Sequence, residues 1–141
     1  LMALRLEKNW GAWTLDFRPD FTAAESGLDT FINWNKDFIG KKASLDEKKQ
    51  GIKKKLVTMT IDTKDIDVTN DEAILKNDKC VGYITSGGYA HHVKKSMALG
   101  YVPEELSKHE TTLDVEINGK LYSAHVTDRP LYDANGEKMR I

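Results

Sequence analysis

Residues 112–127 contain an asparagine–glycine pair between two segments in which apolar and polar side chains alternate. Asn–Gly is the preferred central pair of a type I′ turn, which joins antiparallel strands through a loop of two residues. A loop of that length fixes the register, and the alternation on both strands agrees with it. We therefore predict a β-hairpin with one buried and one solvent-exposed face. The predicted pairs are Ile117–Lys120, Val115–Tyr122 and Leu113–Ala124 on the buried face, and Asp114–Ser123 and Thr112–His125 on the exposed face.

The same period of two recurs from residue 52 onward. Residues 72–87 predict two strands joined at Asn77–Asp78, and residues 95–102 predict a further strand. Several short strands separated by turns are typical of a small antiparallel barrel or sandwich, which we predict over residues 52–141. Residues 55–62 predict a half-buried strand, with one face formed by Val57, Met59 and Ile61 and the other by Thr58 and Thr60.

Residues 1–51 lack this alternation and predict a short α+β segment. An apolar pattern at Leu1 and Leu4 predicts an amphipathic helix that is broken at Gly11. Residues 28–34 predict a strand, and residues 39–51 predict a polar helix that ends at a glycine, the favoured residue just past a helix. The first helix begins without a capping residue or polar leader, so we expect a preceding portion to be missing.

Composition excludes several classes of protein. The 141 residues suffice for one domain, or for one domain and part of another. The 21 Lys and Arg against 22 Asp and Glu argue against a nucleic-acid partner bound through a general basic field. No apolar run approaches the roughly 20 residues that span a bilayer, so we predict no membrane partner. Cys80 is the single cysteine, which fits a reducing compartment, and we predict a soluble cytoplasmic protein.

The adjacent pair His91–His92 resembles a metal or acid–base site at first sight. Neighbours on an extended chain point in opposite directions, and no third ligand follows at zinc spacing, so we predict loop histidines and no metal site. The nearby pair Gly87–Gly88 lacks the lysine and spacing of a phosphate-binding loop and predicts a turn or bulge. Cys80 lies within a predicted strand and is assigned to the core.

Glu7 lies in an otherwise apolar stretch close to two tryptophans, Trp10 and Trp13. A pterin has an amidine-like edge that a carboxylate binds with two hydrogen bonds, while an indole covers the face of its ring. The alternative is a surface Glu7 that pairs with a neighbouring lysine. The residues by themselves leave both interpretations open.

Seven segments occur in an order that resembles a known family. They are LRLEK, WGAW, ESGL, KDFIGKKASL, LVTM, GYITSGGYAHHVKKSMALGYVP and RPLYDANGEKMR. Together they resemble the C-terminal part of the folate-dependent aminomethyltransferase family, which includes the T-protein of the glycine cleavage system. The resemblance is closest to the folate domain at the C-terminal end of flavin-linked dimethylglycine and sarcosine dehydrogenases, and it covers essentially the whole chain.

The resemblance implies a mainly β fold, in which a small antiparallel C-terminal β-barrel follows a short α+β segment. Residues 1–51 would be the tail of the folate-binding domain, and residues 52–141 the barrel domain. The implied function is transfer of a one-carbon unit from an amine donor to tetrahydrofolate, in glycine catabolism and one-carbon metabolism. We expect the chain to be incomplete as an enzyme, because the family's N-terminal portion supplies most of the pocket.

The resemblance also implies a set of folate-binding residues. Glu7 would fix the pterin ring, Trp10 or Trp13 would cover it, and Lys41 or Lys42 would meet the glutamate carboxylates of the folate. It assigns no catalytic residue and no metal to this chain, and it places His91 and His92 in a barrel loop that faces the folate-binding portion.

The implied partners are the N-terminal folate-binding portion or a flavin dehydrogenase domain. An alternative of another class is a non-catalytic barrel that binds a partner protein. A surface left uncovered would also favour a homodimer. We expect residues 1–20 to pack against a second copy, or against the barrel in a position that differs from the family, because Leu1, Leu4, Leu6, Trp10 and Trp13 would otherwise lack cover.

Overall fold

The computed structural model describes residues 1–140, which form a closed barrel of six antiparallel strands preceded by a short helical segment. Around the barrel the order is β1-β4-β3-β2-β5-β6, and β6 pairs back with β1. Closure confirms the predicted mainly β fold and selects the barrel over the sandwich. The strands are β1 (Lys54–Ile61), β2 (Ala73–Lys76), β3 (Lys79–Ala90), β4 (Lys95–Pro103), β5 (Thr112–Ile117) and β6 (Lys120–Thr127).

The β5–β6 hairpin has the register that its turn predicts. Asn118 and Gly119 have φ angles of 50° and 75°, as a type I′ turn requires. Ile117 lies opposite Lys120 and Thr112 lies opposite His125, with the predicted pairs between them. The inward face joins the barrel core, whereas Thr112 and Glu116 on the outward face are exposed.

The prediction that β1 is only half buried is wrong. Val57, Met59 and Ile61 do lie in the core, but Thr58 and Thr60 on the outer face are buried as well. The N-terminal segment contacts this outer face at Thr58, whose hydroxyl donates a hydrogen bond to the side chain of Asn9. A period of two reveals which residues share a face, but it does not reveal whether another segment covers the polar face.

The β2–β3 hairpin confirms its turn and corrects the assignment of Cys80. Asn77 and Asp78 have φ angles of 52° and 60°, the left-handed values that this turn pair tolerates. Cys80 is exposed rather than in the core. It lies beside the exposed tip of the hairpin, and a register shift between Ile74 and Leu75 disturbs the alternation of β3 at this point.

The glycine pair in β3 is not a turn. Gly87 and Gly88 lie inside the strand opposite Ala98 and Met97, and the nearby register shift falls between Ile84 and Ser86. Gly87 has a packing role, since a Cβ there would lie 2.5 Å from the carbonyl oxygen of Val68. The missing side chain therefore lets Val68, on the β1–β2 connection, pack into the barrel core beside β3.

The N-terminal segment contains helix α1 (Met2–Glu7), a 3₁₀ turn (Asp29–Phe31) and helix α2 (Lys41–Gln50). Helix α2 ends before Gly51, which has a φ of 86°, as predicted. The strand predicted at residues 28–34 is wrong, because the 3₁₀ turn occupies this stretch. A closed barrel offers no free edge to which such a segment could add. None of the helices in residues 1–140 has the length and apolar character needed to cross a membrane.

Helix α1 packs against β3 and β4 and ends at Glu7, before the glycine at which its end was predicted. Leu6 is 1% exposed, so the chain's own barrel covers this side chain without a second copy, and packing against the barrel was one of the two arrangements expected for residues 1–20. Gly88 leaves space at the contact, where a Cβ would lie 3.8 Å from a methyl carbon of Leu6. Leu1, Leu4, Trp10 and Trp13 remain partly or fully exposed.

Candidate functional site

The carboxylate of Glu7, at the end of α1, is completely buried against the turn that joins β3 to β4. The backbone N–H of His92 donates to its Oε1 at 2.6 Å, and Nδ1 of the His92 ring lies 2.8 Å from its Oε2. The backbone N–H of Val93 donates to Oε1 at 3.3 Å. The fold thus joins two residues 85 positions apart in sequence through both carboxylate oxygens.

The surroundings of Glu7 favour its charged form. Burial raises the pKa of the carboxyl, but the hydrogen bonds from His92 and Val93 lower it, and the net effect is a pKa below the usual value. Glu7 is therefore ionised at neutral pH and can only accept hydrogen bonds. It follows that Nδ1 of His92 carries the hydrogen in this contact.

The same end of α1 also holds the C-terminal segment. The Tyr132 N–H donates to the carbonyl oxygen of Glu7 at 3.3 Å, and the Tyr132 ring lies 4.3 Å from the His92 ring. Lys8 donates to the backbone carbonyl of Asp133 at 2.5 Å and forms a salt bridge with its carboxylate at 3.3 Å. Glu7 and Lys8 thus connect α1, the β3–β4 turn and the C-terminal segment.

A second buried charge fixes the loop that follows α1. Asp16 is completely buried and accepts hydrogen bonds from Arg5 at 2.9 Å, from the Ala12 N–H at 2.7 Å and from the Ser86 hydroxyl at 2.9 Å. Arg5 also donates to Ser86 at 2.8 Å. This cluster attaches residues 9–17, which carry both predicted pterin-covering tryptophans, to β3.

Both predicted tryptophans pack edge to face against Phe17. The ring centroids of Trp10 and Trp13 lie 5.9 Å and 5.6 Å from that of Phe17, and Trp10 also lies 6.0 Å from Phe31. Trp10 is 51% exposed and Trp13 is 76% exposed, so both leave indole surface open to solvent. Trp10 lines a cavity of about 280 Å³, and Trp13 lines another of about 480 Å³.

Lys41 and Lys42 lie in the first turn of α2, beside a third cavity of about 510 Å³. The amino group of Lys41 donates to the Lys36 carbonyl at 3.0 Å and lies 3.5 Å from the Asp37 carboxylate. The predicted folate ligands therefore do not share one cavity: the two tryptophans and the lysine pair line three, and the Glu7 carboxylate faces the β3–β4 turn.

The sequence patterns did not predict which residues form the hydrogen bonds that hold this region together. The alternative that Glu7 pairs with a surface lysine is wrong, because Glu7 is buried against His92. The prediction that His92 lies in a barrel loop is confirmed, but its hydrogen bonds to Glu7 had no signal in sequence spacing. Asp16 was missed for the same reason. Among residues 1–140, no three His, Cys, Asp or Glu side chains gather closely enough to hold a metal ion.

The closed six-stranded antiparallel barrel places this chain in the class of small β-barrel domains. Residues 54–133 match the family described as "Glycine cleavage T-protein C-terminal barrel domain". The chain belongs to this family, and the resemblance inferred from its ordered segments is confirmed.

The similar proteins are much longer than this chain. It is 44% identical over 131 residues to human "Dimethylglycine dehydrogenase, mitochondrial", a match that covers 92% of the chain and 15% of that protein. It is 36% identical over 131 residues to the aminomethyltransferase of Synechocystis sp., covering 92% of the chain and 35% of that protein. The crystal structure of glycine cleavage system aminomethyltransferase T from Bartonella henselae matches 94% of the chain and 38% of that protein, with a TM-score of 0.87 and 25% identity.

Proposed function

We propose that this chain is the C-terminal part of a unit that transfers a one-carbon unit from an amine donor to tetrahydrofolate. Its family and the relatives named aminomethyltransferase and dimethylglycine dehydrogenase support this proposal. In it, residues 1–51 form the tail of the folate-binding domain and residues 52–141 form the barrel domain. The other parts of such a unit, either a folate-binding portion or a flavin dehydrogenase domain, are the proposed partners.

The observation that carries the proposal is the geometry at Glu7. A buried, ionised carboxylate here accepts N–H donors on both oxygens: Oε1 accepts from the backbone of His92 at 2.6 Å and of Val93 at 3.3 Å, and Oε2 accepts from the His92 ring at 2.8 Å. The amidine-like edge of a pterin presents two N–H donors, so the acceptor pair fits this group. His92 and Val93 supply the donors in this structure, and a pterin would have to replace them.

The other proposed ligands supply complementary chemistry. The open indole surfaces of Trp10 and Trp13 suit stacking on a flat heterocycle. The ammonium groups of Lys41 and Lys42 suit the glutamate carboxylates of a folate. Bound tetrahydrofolate would supply the nitrogen that receives the one-carbon unit. This chain's residues would bind and orient the tetrahydrofolate. Such positioning accelerates a reaction because it holds the reacting groups in the right geometry.

Titration calorimetry of tetrahydrofolate into the chain under reducing conditions tests the proposal. We expect binding by the wild-type chain and its loss in Glu7→Gln, because an amide offers one acceptor and one donor where two acceptors are needed. Glu116→Gln, an exposed site on β5, is the matched control and should bind like wild type. Absence of heat at millimolar ligand would contradict folate binding by this chain.

The alternative is a non-catalytic barrel that binds a partner protein or a second copy. The observation that favours it is the number of exposed apolar side chains, which include Leu1, Met2, Leu4, Trp13, Phe31 and Ile39. Large exposed apolar surface is typical of an interface. We retain a cytoplasmic location as part of the proposal, while the name of the human relative places that protein in mitochondria.

A further inference from the structure

A cavity of about 410 Å³ is lined by the 3₁₀ turn, helix α2 and the start of β1, and none of the proposed folate ligands lines it. Its volume falls in the range of small-molecule sites, roughly 300–1,000 Å³. Part of its wall is apolar and includes Ile32, Trp34 and Ile52. A Cβ at Gly27 or at Gly51 would meet no atom within 4 Å, so open space lies beside both glycines. The cavity therefore has room for a small ligand with an apolar body.

The same wall carries two acidic and two basic side chains, which are Asp29, Glu47, Lys48 and Lys55. In the part of the chain that the structure describes, none of the four forms a salt bridge. Asp29 makes no capping hydrogen bond to the 3₁₀ turn, although it and Glu47 are half-buried. The Lys48 ammonium lies 5.3 Å from the centroid of the Trp34 ring, a cation–π contact. Charges of both signs thus line the cavity without opposite charges to pair with.

We propose that this cavity binds a free α-amino acid with an aromatic side chain. Because the wall has two charges of each sign, a ligand of one charge is attracted by two side chains and repelled by the other two. A zwitterion can face the carboxylates with its ammonium group and the lysines with its carboxylate. An aromatic side chain suits the indole of Trp34, because aromatic pairs are stabilised beyond the burial of their area.

The four charged residues divide into two pairs of roles. Lys48 already contacts the Trp34 ring, so Lys55 is the main partner of the ligand's carboxylate. Glu47 and Asp29 approach the cavity from helix α2 and from the 3₁₀ turn, and they are the partners of the ammonium group. Removal of either kind of charge should therefore weaken binding, whereas an uncharged aromatic ligand would not depend on these residues.

NMR of the full chain with L-phenylalanine as the probe tests the proposal. The three tryptophans all lie in residues 1–140, and Trp34 is the one that lines this cavity. Its indole N–H signal, identified with Trp34→Phe, should shift and saturate with a Kd on the order of 1 mM, as expected for so small a ligand. N-acetyl-L-phenylalanine lacks the ammonium charge and L-phenylalaninamide lacks the carboxylate. Each should bind about fivefold more weakly, the effect of losing one exposed ion pair.

Variants that remove one charge provide a matched comparison. Glu47→Gln and Lys55→Met should each raise the Kd for L-phenylalanine about fivefold. Asp46→Asn and Lys49→Met change neighbouring positions on α2 that line a different cavity, and both should leave the Kd unchanged. None of the four side chains is fully buried, so the amide spectrum of each variant should retain the pattern of the folded chain.

Several results would overturn the proposal. The absence of a saturating shift up to the solubility limit of L-phenylalanine would exclude amino-acid binding. Equal binding of the three probes, or weaker binding by only one of the two derivatives, would show that the cavity does not select for both charges. Equal effects of Glu47→Gln and Asp46→Asn would indicate a general effect of charge. Each of these outcomes leaves the folate proposal intact, because the proposed folate ligands lie outside this cavity.

Discussion

Buried charges in this chain are paired across large separations in sequence, and two such pairs hold its N-terminal segment to the barrel. Glu7 reaches His92 on the β3–β4 turn, and Asp16 reaches Ser86 on β3. The sequence singled out Glu7 because a carboxylate in an apolar stretch is unusual. It gave no sign of either partner, because a side-chain contact between distant residues depends on the closed fold.

The Glu7 contact makes the stability of the chain depend on pH. Because the pKa of Glu7 is lowered in the folded state, the unfolded chain binds more protons near its normal pKa of about 4.3. The stabilisation is therefore complete above that pH and is lost as the pH falls through the folded pKa. The stability difference between wild type and Glu7→Gln in urea unfolding should shrink between pH 6 and pH 3. A difference that stays constant over this range would show that the carboxylate charge does not stabilise the fold.

Replacing Asp16 should lower the free energy of unfolding substantially. Arg5 is 11% exposed, and Asp16→Ala would leave its guanidinium buried without its carboxylate. Breaking such a buried pair costs about 3 kcal/mol. The surface pair Arg18–Asp20 provides the control, because its side chains are 41% and 56% exposed. Asp20→Ala should cost less than about 1 kcal/mol in the same urea experiment, and equal effects of the two changes would refute the importance of the Asp16 cluster.

Among the secondary-structure elements, the local sequence predicted the hairpins correctly. It failed where contact with another segment determines whether a stretch pairs as a strand or is buried. The Asn118–Gly119 turn fixes its own register, so pairing in β5 and β6 followed directly. Residues 28–34 have a strand-like composition, but the barrel is closed and leaves them no edge to pair with. Burial of Thr58 on the outer face of β1 depends on its contact with Asn9, which the alternation in residues 55–62 does not encode.

The β3–β4 pairing should tolerate no side chain at Gly82. A Cβ there would lie 1.9 Å from the backbone oxygen of Tyr101, so Gly82→Ala forces the two strands apart. We expect a loss of about 3 kcal/mol or more in the free energy of unfolding, in the range of severe overpacking. Cys80→Ala, two residues away on the exposed part of β3, is the control and should change stability little. Similar urea midpoints for both variants would contradict the close strand approach.

For the whole molecule, the matches that assign the family extend along most of the chain, while the proposed folate site does not close within it. Trp10, Trp13 and the Lys41–Lys42 pair line separate cavities. The sequence therefore predicted the fold and family, and the ligand roles of these residues stay predictions. A site assembled from several segments depends on surfaces that no single segment encodes.

The exposed apolar side chains predict self-association. Leu4 and Trp13 are 49% and 76% exposed, and identical chains with such surface tend to form symmetric dimers. We expect sedimentation at micromolar concentration to show a dimer for wild type and a monomer for the double variant Leu4→Glu with Trp13→Glu. Both positions lie at the surface, so the fold should persist in circular dichroism. A wild-type monomer at this concentration would refute the dimer.

The most direct test of the central claim is a crystal structure of this chain with tetrahydrofolate. We predict that the pterin edge lies on the two oxygens of Glu7, that His92 has left the carboxylate, and that at least one of Trp10 and Trp13 covers the ring. A ligand bound elsewhere while Glu7 keeps its hydrogen bonds to His92 would contradict it, and would make Glu7 an anchor for the β3–β4 turn alone.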